Sequence, residues 1–173
     1  MKFKNLPVLG FVAWSGTGKT TLLTKTIPLL KAMGIKIGVI KHVHHKFDID
    51  IPGKDSYRLR EAGATQVIAA SNIRIAFMHE LEDLNKEPSL QDALNTLQTD
   101  FLDIILIEGY KHEALPKIEL HRTVLERPLL FPEDDNIIAI ASDNPIQSAT
   151  NIQQLDINDP QGIADFIKQY IEH

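Results

Sequence analysis

Apolar residues in this chain fall into two kinds of run. Leu6 to Ala13 and Phe101 to Ile107 are nearly unbroken, have strand length and show no polar face. Runs of that kind predict parallel strands covered on both sides. Ile35 to Ile40, Lys117 to His121 and Ile137 to Ala141 predict three further strands. From Gly18 to Met33 the pattern changes: Leu22, Leu23, Ile27, Leu30 and Met33 recur at helical spacing, with Gly34 placed to end the helix and Pro28 to kink it. Ser56 to Ala62, with Ser56 as cap and Gly63 as stop, predicts a short helix, and Pro88 to Leu97 and the amphipathic stretch Gln161 to Ile171 predict two more. Gln66 to Ala70 and Ile73 to Met78 lie close enough to pair as a hairpin, and the polar stretch Lys41 to Asp55 reads as a loop. Strands alternating with helices imply right-handed crossovers and an α/β, doubly wound, mostly parallel sheet with flanking helices. No repeat, low-complexity tract or linker interrupts the pattern, so one domain is expected to span all 173 residues.

Composition narrows the class without changing that picture. A chain that is 43% hydrophobic and 24% charged is ordinary for a globular protein in water. The absence of cysteine excludes disulfides and thiolate metal sites. A formal charge of −5 provides no general field for nucleic acid. No stretch reaches the length of a membrane span and no secretory h-region is visible near Met1. The expectation is a cytoplasmic protein with neither nucleic acid nor membrane as partner.

The chemistry begins where the first strand ends. Ala13-Trp14-Ser15-Gly16-Thr17-Gly18-Lys19-Thr20 has the spacing of the Walker A loop, with Ala13 in place of its first glycine. The strand before and the helix after are the context that the motif needs, because loop N–H groups then converge on an anion at a helix N-terminus. Gly16 and Gly18 allow close backbone approach, and Lys19 is expected to reach the β- and γ-phosphates of a nucleoside triphosphate. Thr20 places a hydroxyl where Mg²⁺ takes it as a ligand. Ser15, Thr17 and Thr21 complete the loop as candidate nucleotide-binding residues, Ser15 and Thr17 chiefly as donors within it. The expected fold is therefore a P-loop nucleoside triphosphatase domain.

A second metal-holding group is expected at the end of a neighbouring strand. Asp103 and Glu108 flank the run Phe101 to Ile107 and, at about 3.3 Å per residue, stand roughly 16 Å apart. Ligands in such sheets sit beyond the carboxyl ends of the strands, which selects Glu108 and leaves Asp103 a structural role. After the second strand, Lys41 to Asp50 emerges on the same side. His42, His44 and His45, with Lys54 and Lys111, are candidate contacts to phosphate or to a cofactor, the plain alternative being solvated side chains. The three histidines carry no spacing signature of a transition-metal site. Asp48 and Asp50 are candidates for holding a metal-bound water or orienting the attacking one, and Arg58 for facing phosphate.

Taken together these segments resemble the MobB family of molybdopterin-guanine dinucleotide biosynthesis adaptor proteins. The resemblance rests on Ala13 to Leu23, on Ile40-Lys41-His42 through Asp50, on Pro52-Gly53-Lys54-Asp55-Ser56, on Glu61-Ala62-Gly63-Ala64, on Ile107-Glu108-Gly109-Tyr110-Lys111 and on Ala141-Ser142-Asp143. It implies a GTP-binding, usually homodimeric protein with weak GTPase activity. Such a protein assists the guanylyltransferase that attaches GMP to molybdopterin in molybdenum cofactor biosynthesis. The Asn-Lys-x-Asp guanine motif of Ras-like GTPases is absent, so Asp143, at the end of the strand Ile137 to Ala141, is the candidate for accepting hydrogen bonds from guanine, with turn capping before Pro145 as its alternative. No strong general base is evident, so any turnover is expected to be slow. Two other readings use the same loop: a small-molecule kinase, for which Arg122 and Arg127 are candidate lid arginines, and a module that binds the phosphate of molybdopterin itself.

Overall fold

The computed structural model describes residues 1–43, 48–81, 87–148 and 151–173. In chain order its elements are β1 (Lys2–Phe3), β2 (Leu6–Val12), α1 (Lys19–Ala32), β3 (Ile37–Lys41), α2 (Asp55–Glu61), β4 (Gln66–Ala70), β5 (Ile75–His79), α3 (Leu90–Thr96), β6 (Ile104–Glu108), β7 (Lys117–His121), β8 (Ile137–Ser142), β9 (Gln153–Asp156) and α4 (Pro160–Glu172). Backbone packing divides the chain into two compact units, Met1–His42 with Ser89–His173, and Val43–Pro88.

The first unit is built on a seven-stranded sheet in the order β3-β6-β2-β7-β8-β9, with β1 paired to β2. All its pairings are parallel except the short antiparallel contact of β1 with β2. The reason lies in the unbroken apolar runs. Leu9 and Phe11 enter one core with Leu22, Leu23 and Leu30 of α1 and Ile163, Ala164 and Ile167 of α4. Val8 points the other way, into a core with Ile105, Ile107 and Leu90 and Leu94 of α3. Alternate residues of a strand face opposite sides, so a strand without a polar face needs helices on both. This is the doubly wound α/β architecture that the sequence predicts.

Several boundaries shift for local reasons. The run at Phe101 becomes β6 only from Ile104, because the Asp103 carboxylate accepts from the Lys36 backbone N at 2.7 Å while the Asp103 N–H donates to the Lys36 carbonyl at 2.8 Å. Those bonds clasp the start of the strand and leave Phe101 71% exposed. Ser56 is not a cap: α2 begins at Asp55 behind Lys54, and the Ser56 hydroxyl donates to Asp50 Oδ1 at 2.9 Å. The polar sequence Gln153–Asp156 shows no strand pattern, yet it pairs in parallel with β8 as the edge strand β9.

The second unit holds α2 and the antiparallel hairpin of β4 and β5, in which Ile68 stands opposite Phe77. Its charges gather on Arg60, whose guanidinium bonds Glu80 at 2.6 Å, Asp48 at 3.1 Å and Asp50 at 3.4 Å.

Strand β7 carries two charges into the interior of the first unit. The Lys117 ammonium, 1% exposed, pairs with Asp134 and donates to the carbonyls of Lys111 at 3.0 Å and Glu113 at 2.8 Å. Glu119, fully buried, accepts from the backbone N–H groups of Leu130 at 2.8 Å and Phe131 at 2.9 Å. Burial pushes the Glu119 carboxyl up in pKa, against the pull of those two donors. Burial also works to raise Asp134, but the hydrogen bonds from Lys117 and Asn136 prevail and hold it below the usual carboxylate value. A carboxyl depressed in the folded state stabilises the protein above its unfolded pKa and stops doing so as the pH falls through the folded one. Asp134→Asn leaves a buried ammonium without its counter-charge and is expected to lower stability at neutral pH by about 3 kcal/mol. In urea titrations the variant's loss of stability on acidification below the ordinary carboxylate range should be shallower than the wild type's.

Candidate functional site

Because its strands are parallel, the first unit presents their carboxyl ends along one edge, and the chain from Val12 to Lys19 turns there from β2 into α1. Gly18 is the residue that caps α1, at φ 100°, a left-handed conformation that a β-carbon would strain. Within the loop, the Thr17 hydroxyl donates to the Trp14 carbonyl at 2.8 Å, and the Lys19 ammonium folds back to the carbonyl of Ala13 at 3.2 Å. Ala13, where the Walker pattern has glycine, thus contributes its backbone carbonyl to the loop while its side chain packs against the main core. Ser15 and Gly16 form the exposed tip, and Thr21 lies exposed on the first turn of α1. Burial lowers the pKa of Lys19, with the nearby charges of Lys41 and Lys111 acting in the same direction and Glu108 opposing them.

Glu108 ends β6, the neighbour of β2, and stands in register with Phe11 on one side and Lys41 on the other. Its Oε1 accepts from the Thr20 hydroxyl at 2.7 Å and lies 3.2 Å from the Lys41 ammonium, which also donates to the Thr20 hydroxyl oxygen at 3.1 Å. A cation is therefore bridged by the two oxygens that the sequence assigned to Mg²⁺. This arrangement fits a divalent ion, which would take the ammonium's place. Among the described residues no group of three or more His, Asp or Glu side chains could hold a metal, so such an ion would draw its other ligands from water and from phosphate oxygens.

Glycine follows Glu108 for a steric reason. Gly109 has φ +101°, and a β-carbon there would stand 2.8 Å from that of His42. His42 donates its backbone N–H to the Glu108 carbonyl at 2.8 Å and stacks on Tyr110, with ring centroids 4.3 Å apart. The close approach of the ends of β3 and β6 thus places an imidazole beside the carboxylate's own strand.

The remaining candidates are distributed otherwise. Asp143, after β8, accepts at Oδ1 from the Thr123 N–H at 3.0 Å and hydroxyl at 3.2 Å, bonds that lower its pKa. Asp48 and Asp50 are bound by Arg60, Lys54 is exposed ahead of α2, and Arg58 lies 3.9 Å from Asp55, all within the second unit. His44 and His45 lie outside the described residues.

Arg122 and Lys41 complete the site from the ends of β7 and β3. Arg122 donates from Nε to the Thr17 carbonyl at 3.1 Å and from its terminal nitrogens to Asn158 at 3.3 and 3.4 Å, so it braces the loop from the end of β7. The rule that functional groups gather at strand carboxyl ends points to this arginine and to Lys41 once the strands are known. The sequence pattern puts Lys41 in a polar loop, and nothing in it reveals the pairing with Glu108.

Comparison with known proteins bears on the whole of this arrangement. The family model described as MobB, Molybdopterin guanine dinucleotide synthesis protein B, matches residues 8–143. The chain is 50% identical over 168 residues to the molybdopterin-guanine dinucleotide biosynthesis adapter protein of Escherichia coli K12, covering 96% of this chain and 94% of that one. It is 43% identical over 169 residues to the protein of the same description from Haemophilus influenzae, covering 97% and 91%. A crystal structure of molybdopterin-guanine biosynthesis protein B superposes with a TM-score of 0.75 at 23% identity, covering 96% of this chain and 99% of that one. Bacillus subtilis MobB does so with a TM-score of 0.72 at 22% identity, covering 95% and 98%. The two structures speak for the P-loop α/β fold. The family match and the curated relatives establish more: this chain belongs to the MobB family of molybdopterin guanine dinucleotide synthesis proteins.

Proposed function

We propose that this protein is a GTP-binding adaptor in the biosynthesis of molybdopterin guanine dinucleotide, acting in the cytoplasm as a homodimer that assists the guanylyltransferase acting on molybdopterin. The observation that carries the nucleotide part is the cation bridged between Thr20 and Glu108 beside the Lys19 ammonium. In this reading the loop from Ser15 to Gly18 wraps the phosphates, Lys19 neutralises the β- and γ-phosphates, and Thr20 and Glu108 would hold Mg²⁺ in exchange for the Lys41 ammonium. The metal would supply charge neutralisation across the phosphate oxygens. Arg122 keeps the loop in its cradle shape by tying down the carbonyl of Thr17. Asp143, steadied by Thr123, is the group that selects guanine.

Slow hydrolysis follows from the same geometry. Glu108 is committed to holding a cation, which leaves it unsuited to activating water. Any part that Asp48 and Asp50 play in orienting water requires Arg60 to release their carboxylates. A kinase needs mobile arginines to close over the transferred phosphate; of the two candidates Arg122 is spent on the Thr17 carbonyl and Asn158, which leaves Arg127 alone. The adaptor reading asks for no such lid.

Dimerisation draws support from the hairpin. Ile68, Ile75 and Phe77 share one face of β4 and β5 and are 66%, 68% and 40% exposed. A two-stranded hairpin is marginal alone, and a second copy of the same face would bury this apolar surface in a two-fold contact.

Calorimetric titration with GTP, ATP and Mg²⁺ tests the nucleotide part. Wild type is expected to prefer GTP, and Lys19→Ala to lose measurable binding; equal affinity in that variant would exclude the cradle. Glu108→Gln should weaken the Mg²⁺-dependent component by about 10–100-fold. Asp143→Asn should reduce the preference for GTP over ATP by about tenfold, the equivalent of one hydrogen bond of about 1.4 kcal/mol. In sedimentation equilibrium Ile68→Asp should shift the protein to monomer while leaving GTP affinity in place. Binding of the guanylyltransferase should be stronger to the GTP-loaded than to the nucleotide-free protein.

A further inference from the structure

The mouth of the P-loop carries cations that the phosphate cradle does not use. Trp14, the one tryptophan of the chain, is half-buried, and its indole N–H donates to the Pro128 carbonyl at 2.7 Å. The Lys111 ammonium lies 5.0 Å from the ring centroid and the Arg127 guanidinium 5.9 Å from it. An aromatic face attracts a cation through its quadrupole but has no net charge. The ring therefore positions both groups without neutralising either. Both side chains are exposed, and among the described residues neither has a carboxylate partner within ion-pair distance. In a protein of net charge −5, two uncompensated cations gathered on one ring call for an anion.

The loops that bring them there are anchored from inside. Lys117 holds the first through the carbonyls of Lys111 and Glu113, and Glu119 holds the second through the N–H groups of Leu130 and Phe131. The two anchors stand two residues apart on β7, hence on one face of the strand. Apolar side chains would pack β7 with less desolvation than a buried ammonium and carboxylate. What the charges add is a fixed course for the two loops that carry Lys111 and Arg127.

We propose that Lys111, Arg127 and Trp14 form a second phosphate-binding subsite beside the P-loop, which takes the terminal phosphate of a phosphomonoester while nucleotide occupies the loop. The proposal rests on the P-loop being the nucleotide cradle. Arg127 offers the paired N–H donors that grip a phosphate in two places, and Lys111 adds a point charge. Trp14 belongs to the loop itself, and Lys111 is near enough to Lys19 to act on its ionisation, behind burial, Glu108 and Lys41, so the subsite borders the phosphate end of the cradle rather than the base. Cation–π contacts at an exposed site are weak enough to be exchanged for charge-assisted hydrogen bonds when the ligand arrives.

Trp14 itself reports the event by its fluorescence. Protein loaded with a non-hydrolysable GTP analogue and Mg²⁺ is titrated with glycerol 3-phosphate, with inorganic phosphate, and with sodium chloride at matched ionic strength. A saturable change in emission is expected with glycerol 3-phosphate and not with chloride. Its Kd should rise at least tenfold in the double variant Lys111→Ala/Arg127→Ala and be retained in Lys111→Arg/Arg127→Lys, with circular dichroism and urea midpoints verifying that both variants are folded. No saturable change, equal affinity in the alanine variant, or release of the nucleotide analogue by the phosphate compound would each overturn the proposal. Binding of inorganic phosphate without binding of glycerol 3-phosphate would overturn the phosphomonoester assignment. If wild type binds no nucleotide, the P-loop reading has failed by itself. The titration then moves to Lys19→Ala protein, where a signal that depends on Lys111 and Arg127 sustains the subsite and its absence removes it.

Discussion

The parallel alignment of β3, β6 and β2 is the constraint from which the site follows. Parallel strands end on the same edge, and the register that pairs Ile105 with Val8 also sets Glu108 opposite Phe11 and Lys41. The loop leaving β2 and the carboxylate ending β6 must then meet. Glu108 is buried, and a buried carboxylate needs a cation or several donors near it. Thr20 supplies a hydroxyl and Lys41 an ammonium. A site that holds the Lys41 ammonium follows from strand alignment and desolvation together.

Strand β7 extends the same logic to the other side of β2. Its apolar residues Ile118 and Leu120 serve the main core, while Lys117 and Glu119 on the opposite face organise loops through backbone carbonyls and N–H groups. At its end, Arg122 reaches the carbonyl of Thr17. One strand thus fixes the P-loop from the side and sets the course of the segments around Trp14. Packing, electrostatics and the presentation of exposed cations are here consequences of a single element.

Much of the fold was legible because its signals are local. Unbroken apolar runs, helical periodicity and glycines after helices act over a few residues, and they locate the central strands and the long helices α1 and α4 closely. The exceptions are equally physical. Gln153–Asp156 becomes a strand only because β8 offers an open edge, and Phe101 stays outside β6 because Asp103 clasps Lys36 across the chain. Ser56 was expected to cap α2, but Asp50 takes its hydroxyl.

The site divides along the same line. The sequence by itself marked Ala13 to Thr20 as a Walker A match, since the spacing and the strand-to-helix context are contiguous, and it selected Glu108 over Asp103 as the candidate carboxylate through strand polarity, a rule that holds for any parallel sheet. Only the tertiary structure decided that Lys41 bridges Glu108 and Thr20, that Arg122 braces the loop 105 residues away, and that Lys111 and Arg127 converge on Trp14. Those contacts join positions far apart in the chain, and their partners are chosen by register and burial, which no local pattern of residues encodes.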